Sequence, residues 1–316
     1  MNAPVYRAVV AGVPSTMTAR LLWRWLEAGH QVTELWMPAG LDRGMLRQER
    51  QLGIFRPGWS VAAAVRRFNI PVRDVGREVL AKDGSLAESV ERSDLILSCL
   101  FPYRVPSHLL TLAGGRALNL HPAMLPAWRG STPMLSMVRA GRAARDGGVT
   151  LHVMVDRFDA GAIVAAVPVP LHPGKDWIWW AQALSRASGD LVHVGVEPFL
   201  RGEIEPRLQP ASPTPYAGRA NAQFAIDRTT SYDQADRHLS LFGRSSALDL
   251  KTDDRTIRVL GRARSLGPPT GEPPRVGPFF VTMDLADARC RFRRRLPGAS
   301  RRFRLKRLLR WIMAPY

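Results

Sequence analysis

The chain has 316 residues, 46% hydrophobic and 23% charged, enough to bury one large core and a smaller second one, and too apolar for a disordered or low-complexity polymer. Its formal charge is +18, but residues 289–316 hold eleven basic residues and no acidic one, so most of the excess belongs to one end. Cys99 and Cys290 are the only cysteines, which excludes a disulfide framework and a four-thiolate zinc site. No apolar run approaches the roughly 18 residues of a membrane-spanning helix. Met1 to Pro14 does not read as a signal peptide, so a cytoplasmic location is expected. Only Lys82, Lys175, Lys251 and Lys306 are lysines; an arginine excess suits a polyanion surface and equally a compositional bias.

Tyr6 to Gly12 is a short apolar run ending at glycine, as in a buried parallel strand. Leu21, Leu22, Trp25 and Leu26 then fall at helical spacing, and Gly29 closes that helix. Val32 to Met37 reads as a strand, Leu41 to Trp59 as an excursion loop, Ser60 to Phe68 as a helix and Pro71 to Val75 as a strand. Ser93 to Leu100 is the clearest buried strand. The βαβ alternation predicts an α/β fold built on a doubly wound parallel sheet. Beyond Leu118 come a loop (Pro122 to Pro133), a helix (Met134 to Gly141) and a strand (Val149 to Val155). A turn follows (Asp156 to Gly161), then a strand (Ala162 to Val169) and a long helical segment (Trp177 to Phe199). The Pro/Ser-rich stretch from Gln209 to Pro215 marks a boundary. After it, Ser231 to Phe242 looks helical, with short strands at Thr256–Val259 and Phe279–Met283, thin material for a second domain.

The first turn, Gly12-Val-Pro-Ser-Thr16, lacks the spaced glycines of a dinucleotide site, and there is no P-loop, HExxH or GxSxG. No pair of histidines has metal-ligand spacing on one helix face. Asn119 and His121, by contrast, lie two apart at a strand end that Pro122 terminates, so they share a face at the edge where open α/β sheets place ligands. An amide donor beside an imidazole suits acyl transfer, one stabilising an oxyanion and the other supplying charge or moving a proton. Asp156 and Asp159 lie in the Gly-closed turn after the next strand. A carboxylate near His121 would orient it and raise its pKa, whereas Asp156 reads better as a turn cap. His152 reads as a core histidine with orienting the site as the alternative.

Asn119-Leu-His121-Pro-Ala-Met-Leu125-Pro126-Ala-Trp128-Arg129-Gly130 and Asp159-Ala-Gly161 together resemble the folate-dependent formyltransferase family. The resemblance covers residues 6 to 205 and, more weakly, the segment from Pro215 to Phe242. It implies a Rossmann-like domain in which Asn119, His121 and Asp159 are the catalytic trio. It also implies that 10-formyltetrahydrofolate is the formyl donor, held by Phe101, Tyr103, Arg104 and Val105 and by Asp156, Ala160 and Gly161, with no metal. The sequence departs from the family at Ala123, where serine is usual, at Ile226-Asp227-Arg228, and after Phe242, where Gly243-Arg-Ser-Ser stands. Residues 244–288 are short for a full β-barrel, and Asp159 to Val164 is closer to the amino-sugar branch.

The expected organisation is therefore a catalytic domain over 1–207, a small β-containing C-terminal domain over 208–288 and a basic helical tail over 289–316. The expected reaction is N-formylation of a small or carrier-linked amine such as an amino sugar or modified amino acid. Methionyl-tRNA as acceptor, a 10-formyltetrahydrofolate hydrolase and an idle RNA- or membrane-binding scaffold are the alternatives. In the tail, Leu305, Leu308, Leu309 and Ile312 form an apolar stripe beside Arg302, Lys306, Arg307 and Arg310. Residues 300–316 are thus expected to meet an anionic membrane or tRNA, with docking onto the second domain as the bland alternative.

Overall fold

The computed structural model describes residues 4–41, 43–210, 216–218, 225–242 and 248–296, without the side chains of 43–45 and 48. It divides into two compact units, one of residues 1–171 and 181–218 and one of 172–180 and 219–316.

In the first unit β1 (Arg7–Gly12) leads into α1 (Thr16–Glu27), then β2 (Gln31–Pro38), α2 (Arg43–Phe55), α3 (Val61–Phe68) and β3 (Val72–Val75). Next come α4 (Arg77–Lys82), α5 (Gly84–Glu91), β4 (Leu95–Cys99), α6 (Ser107–Leu112) and β5 (Ala117–His121). The chain continues through α7 (Pro133–Arg139), α8 (Ala143–Asp146), β6 (Gly148–Val153) and β7 (Ile163–Pro168) to α9 (Trp177–Leu191), which belongs to this unit from residue 181 on, a π-turn (Val192–Val196) and α10 (Glu197–Leu200).

The strands form one sheet in the order β3-β2-β1-β4-β5-β6-β7. The parallel pairing expected from sequence holds from β3 to β5, but β6 and β7 join antiparallel. Val9, Ala11, Trp36 and Ile96 pack into one apolar cluster with Leu80, Leu86, Val90 and Leu109 of the helices that follow β3 and β4. Ala8 and Val10, on the alternate face of β1, are equally buried, so the central strand is covered on both sides. The α1 N-terminus is capped by Ser15, whose Oγ accepts from the Thr18 N–H at 3.2 Å, and α1 meets α9 through Thr16 Oγ1 and Ser185 Oγ at 2.8 Å.

The stretch expected to be an excursion loop is instead α2 plus a 3-10 turn (Pro57–Trp59). Glu49 is the physical reason. It is buried, accepts from Ser60 Oγ at 2.9 Å and from the Val61 N–H, and so caps α3 while Leu52 and Trp59 bury their side chains. Its Arg and Gly content hid that anchoring. The short helices α4, α5 and α6 carry too few periodic positions to stand out in sequence.

The second unit has β8 (Ala225–Ile226), α11 (Tyr232–Phe242), β9 (Leu248–Lys251), β10 (Thr256–Gly267), β11 (Arg275–Val276), β12 (Phe280–Asp284) and β13 (Arg289–Arg294). They form a six-stranded sheet in the order β11-β12-β13-β10-β9-β8, richer than the two short strands expected. Residues 289–294 are a correction to the proposed tail: they pair antiparallel with β10 and β12. Cys290 and Phe292 point into the core, and Arg289 is buried with its guanidinium on Asp284 at 2.8 Å and Glu272 at 3.0 Å. Charge counting had masked that alternation. The remaining tail positions, 297–316, lie outside the described residues, as do 211–215 of the Pro/Ser-rich stretch.

Candidate functional site

Asn119 and His121 occupy alternate positions at the carboxyl end of β5, next to the antiparallel β6. The register sets Asn119 directly opposite His152, and the Asn119 Nδ2 amide donates to His152 Nε2 at 3.0 Å. His152 Nδ1 lies 2.9 Å from the Val153 carbonyl; a proton there donates to that oxygen and leaves Nε2 as the acceptor. His152 is therefore a site residue that holds Asn119, not merely a core histidine; the signal that could have found it was its register with Asn119.

The loop after β5 is folded by buried polar contacts. Thr150 Oγ1 donates to the Ala123 carbonyl at 2.7 Å, the Leu125 N–H donates to Thr150 Oγ1 at 3.1 Å, and Trp128 Nε1 donates to Asp146 Oδ2 at 2.8 Å. Trp128 has φ +63° and Gly130 φ +121°; a Cβ on Gly130 would stand 2.8 Å from the Ala217 carbonyl. That sharp path aims two backbone groups into the site. His121 Nε2–H donates to the Trp128 carbonyl at 2.9 Å, and the Gly130 N–H donates to Asp159 Oδ2 at 2.8 Å.

Asp159 completes the constellation from the turn between β6 and β7. Its Oδ1 lies 3.4 Å from His121 Nδ1, 3.4 Å from Asn119 Nδ2 and 3.5 Å from His152 Nε2. The three residues singled out in sequence thus meet at one carboxylate oxygen. Burial alone would raise the Asp159 carboxyl, but His152, His121 and the Gly130 N–H together hold it below the ordinary carboxylate range. His121 corrects a sequence expectation: burial pushes its pKa below the usual imidazole value, and neither Asp159 nor the Trp128 carbonyl makes up the difference. It is a neutral imidazole with Nε2 protonated and Nδ1 facing the carboxylate.

The segment between β4 and α6 and the turn carrying Asp159 lie side by side. Phe101 and Tyr103 meet edge to face at 5.5 Å and, with Val105 and Met154, pack on the apolar cluster under the sheet. Arg104 donates to the Asp156 carbonyl at 3.3 Å and Ser107 Oγ to Asp156 Oδ1 at 2.6 Å, which ties the two segments together. Asp156 is exposed, and its carboxylate accepts from Ser107 instead of capping its own turn as the sequence reading expected. At Gly161 no side chain can be placed, because a Cβ would lie 1.8 Å from the Val153 carbonyl oxygen. Sequence reasoning overlooked the parts played by Trp128, Gly130 and Gln209, which act through backbone groups or across long separations. Among the described residues no His, Cys, Asp or Glu cluster has the makings of a metal site.

Residues 57–187 match the Formyl transferase family. A methionyl-tRNA formyltransferase of Limosilactobacillus fermentum is 32% identical over 144 residues, a match spanning 45% of either chain. One from Paracidovorax citrulli is 27% identical over 277 residues, covering 85% of this chain and 81% of that one. In fold, the chain is similar to an N-formyltransferase from Helicobacter canadensis solved with folinic acid and dTDP-3-aminofucose, with a TM-score of 0.62 at 13% identity over 93% of this chain and all of that one. Residues 57–187 of the chain are thus similar to the formyl transferase domain, and the rest of the chain shares the fold of solved N-formyltransferases.

Proposed function

We propose that the protein transfers a formyl group from 10-formyltetrahydrofolate to a primary amine. The observation that carries this reading is the convergence of Asn119 and His121 on Asp159 Oδ1, each at 3.4 Å, at the carboxyl end of β5. The formyl donor enters as a substrate. Phe101, Tyr103 and Val105 offer it an aromatic and aliphatic wall, and the turn from Asp156 to Gly161 offers backbone groups for a heterocycle edge. In the attack, the amine nitrogen bonds to the formyl carbon and charge develops on the formyl oxygen. Asn119 Nδ2 serves that oxygen, since its 3.4 Å bond to Asp159 is the weaker of its two and the one an incoming acceptor displaces. The amine's proton passes to His121 Nδ1, where the Asp159 carboxylate stabilises the imidazolium. It then leaves with the tetrahydrofolate nitrogen as that carbon–nitrogen bond breaks.

For the acceptor we favour a small or carrier-linked amine such as an amino sugar, supported by the Asp159 to Val164 sequence and by the fold shared with the Helicobacter canadensis enzyme. Methionyl-tRNA is the second reading. The specific observation behind it is the Paracidovorax citrulli relative, whose alignment extends over 277 residues and so beyond the first unit.

The test is an acceptor screen with 10-formyltetrahydrofolate, following tetrahydrofolate release with nucleotide-linked amino sugars, methionyl-tRNA and water alone. Transfer to an amine is expected, and release with water alone at the same rate would make the protein a hydrolase. Asn119→Ala, His121→Ala and Asp159→Asn should each lower kcat by about 100-fold or more while folate binding survives. Turnover within about threefold of wild type would remove that residue from the mechanism.

A further inference from the structure

Gln209 lies two residues past Arg207, whose backbone exchanges hydrogen bonds of 2.7 and 2.8 Å with Ile163 at the start of β7. That bridge delivers the half-buried Gln209 side chain to the turn that carries Asp159. Its Nε2 donates to the Asp159 carbonyl at 2.8 Å and to the Gly161 carbonyl at 2.7 Å, so both amide protons are committed to one turn. Its Oε1 accepts from Arg129 Nε at 3.0 Å and from Arg129 Nη2 at 2.5 Å. Two donors and two lone pairs are thereby all used.

What the amide joins makes the arrangement informative. Arg129 stands between Trp128, whose carbonyl takes the His121 proton, and Gly130, whose N–H holds Asp159 Oδ2. Asp159 itself has φ +55°, a left-handed conformation that persists only when its surroundings enforce it. The same loop is gripped a second time a few residues on, where the Ala217 N–H donates to the Arg129 carbonyl at 2.7 Å.

Building on the proposed formyl transfer, we propose that Gln209 is a positioning residue that locks the Asp159 turn to the Trp128–Gly130 loop and so fixes the carboxylate against His121 and Asn119. It touches none of the reacting atoms. Its effect is carried by the placement of Asp159 Oδ1.

Two variants separate this from a general contribution to folding. Gln209→Met keeps the length and removes every polar contact. Gln209→Glu keeps the acceptor for Arg129 but turns an oxygen toward two carbonyls that need a donor. Each should lower kcat by about 10- to 100-fold, with folate affinity and far-UV circular dichroism close to wild type. The His121 imidazole, followed by NMR, should titrate at lower pH in both, because the carboxylate that opposes the effect of burial has moved away. That readout needs no turnover. If the wild type transferred no formyl group to any amine, the proposed activity would fail while the His121 titration still decided the role of Gln209. If Gln209→Met fails to fold, Gln209→Glu decides. An unchanged His121 titration with kcat within about threefold of wild type in a folded variant would overturn the proposal.

Discussion

Asp159 gathers the strain and the charge of the site into one residue. A non-glycine residue in left-handed backbone costs on the order of 1 kcal/mol, and this one also takes a carboxylate out of water. The Gly130 N–H, the Asn119 amide and the Gln209 clamp on its backbone offset those costs. The charge states have a testable consequence. His121 binds its proton less readily in the folded protein than in the unfolded one, because burial dominates, and Asp159 likewise holds its proton less readily. For both groups the unfolded chain binds more protons across the intervening pH range, so stability rises with pH there. Their contribution is complete above the ordinary imidazole value of about 6.5 and is lost as pH falls, first through His121 and then through Asp159. If neutral His121 takes the amine proton, kcat/KM of the free enzyme should have an acid limb below that same value. Asp159→Asn should move the residual limb further down, since the group that favours the imidazolium is gone. A limb above the ordinary value would mean that the carboxylate outweighs burial and that His121 rests protonated.

At the scale of elements, the core strands were legible because β1, β4 and β5 are buried on both faces and read as apolar runs closed by glycine or proline. Asn119 and His121 were legible for a related reason: alternate positions at a strand end share a face whatever the strand pairs with. The direction of β6 could not be read, since an apolar strand looks the same parallel or antiparallel; with it went the pairing of Asn119 and His152. Gln209 was invisible as a site residue because its partners lie 48 to 80 positions away in the chain. In the second unit β13 was hidden by its arginines, and there Arg289 is structural. It is buried against Asp284, whose other oxygen accepts from the Thr270 and Gly271 N–H groups at 3.0 and 2.7 Å. Burial would raise the Asp284 carboxyl, but Arg289 and those two N–H groups keep it ionised. Arg289→Leu leaves that carboxylate without its cation and should lower the denaturant midpoint of the unit. Arg289→Leu with Asp284→Leu should recover part of the loss, because no charge is then left unpaired. Denaturant melts of the single and double variants check this, and a double variant less stable than the single one would show that Asp284 is held by its N–H donors alone.

For the whole molecule the question is where +18 acts. Within the second unit, Arg264 and Arg291 face each other across β10 and β13 and both are exposed, a like-charge pair that salt relieves. Six further basic residues, Arg301, Arg302, Arg304, Lys306, Arg307 and Arg310, fall in 297–316, outside the described residues, with no acidic residue among them. Among the described residues no helix is long and apolar enough to cross a membrane, so attachment to a surface would rest on charge and an apolar stripe rather than on a span. Deleting residues 297–316 should leave formylation of a small soluble amine within about twofold of the full chain, because the trio and its supports lie in the first unit. The same deletion should weaken sedimentation with tRNA and with vesicles of anionic lipid. In the full chain either association should fade steeply between roughly 50 and 200 mM salt, as counterion release requires of a partner held by several cationic side chains. The two sediments distinguish a nucleic acid from a lipid surface. Undiminished, salt-sensitive binding by the truncated chain would move the polyanion contact to the arginines of β10 and β13, and a truncated chain that no longer folds would make the last twenty residues a requirement of folding instead of a targeting tail.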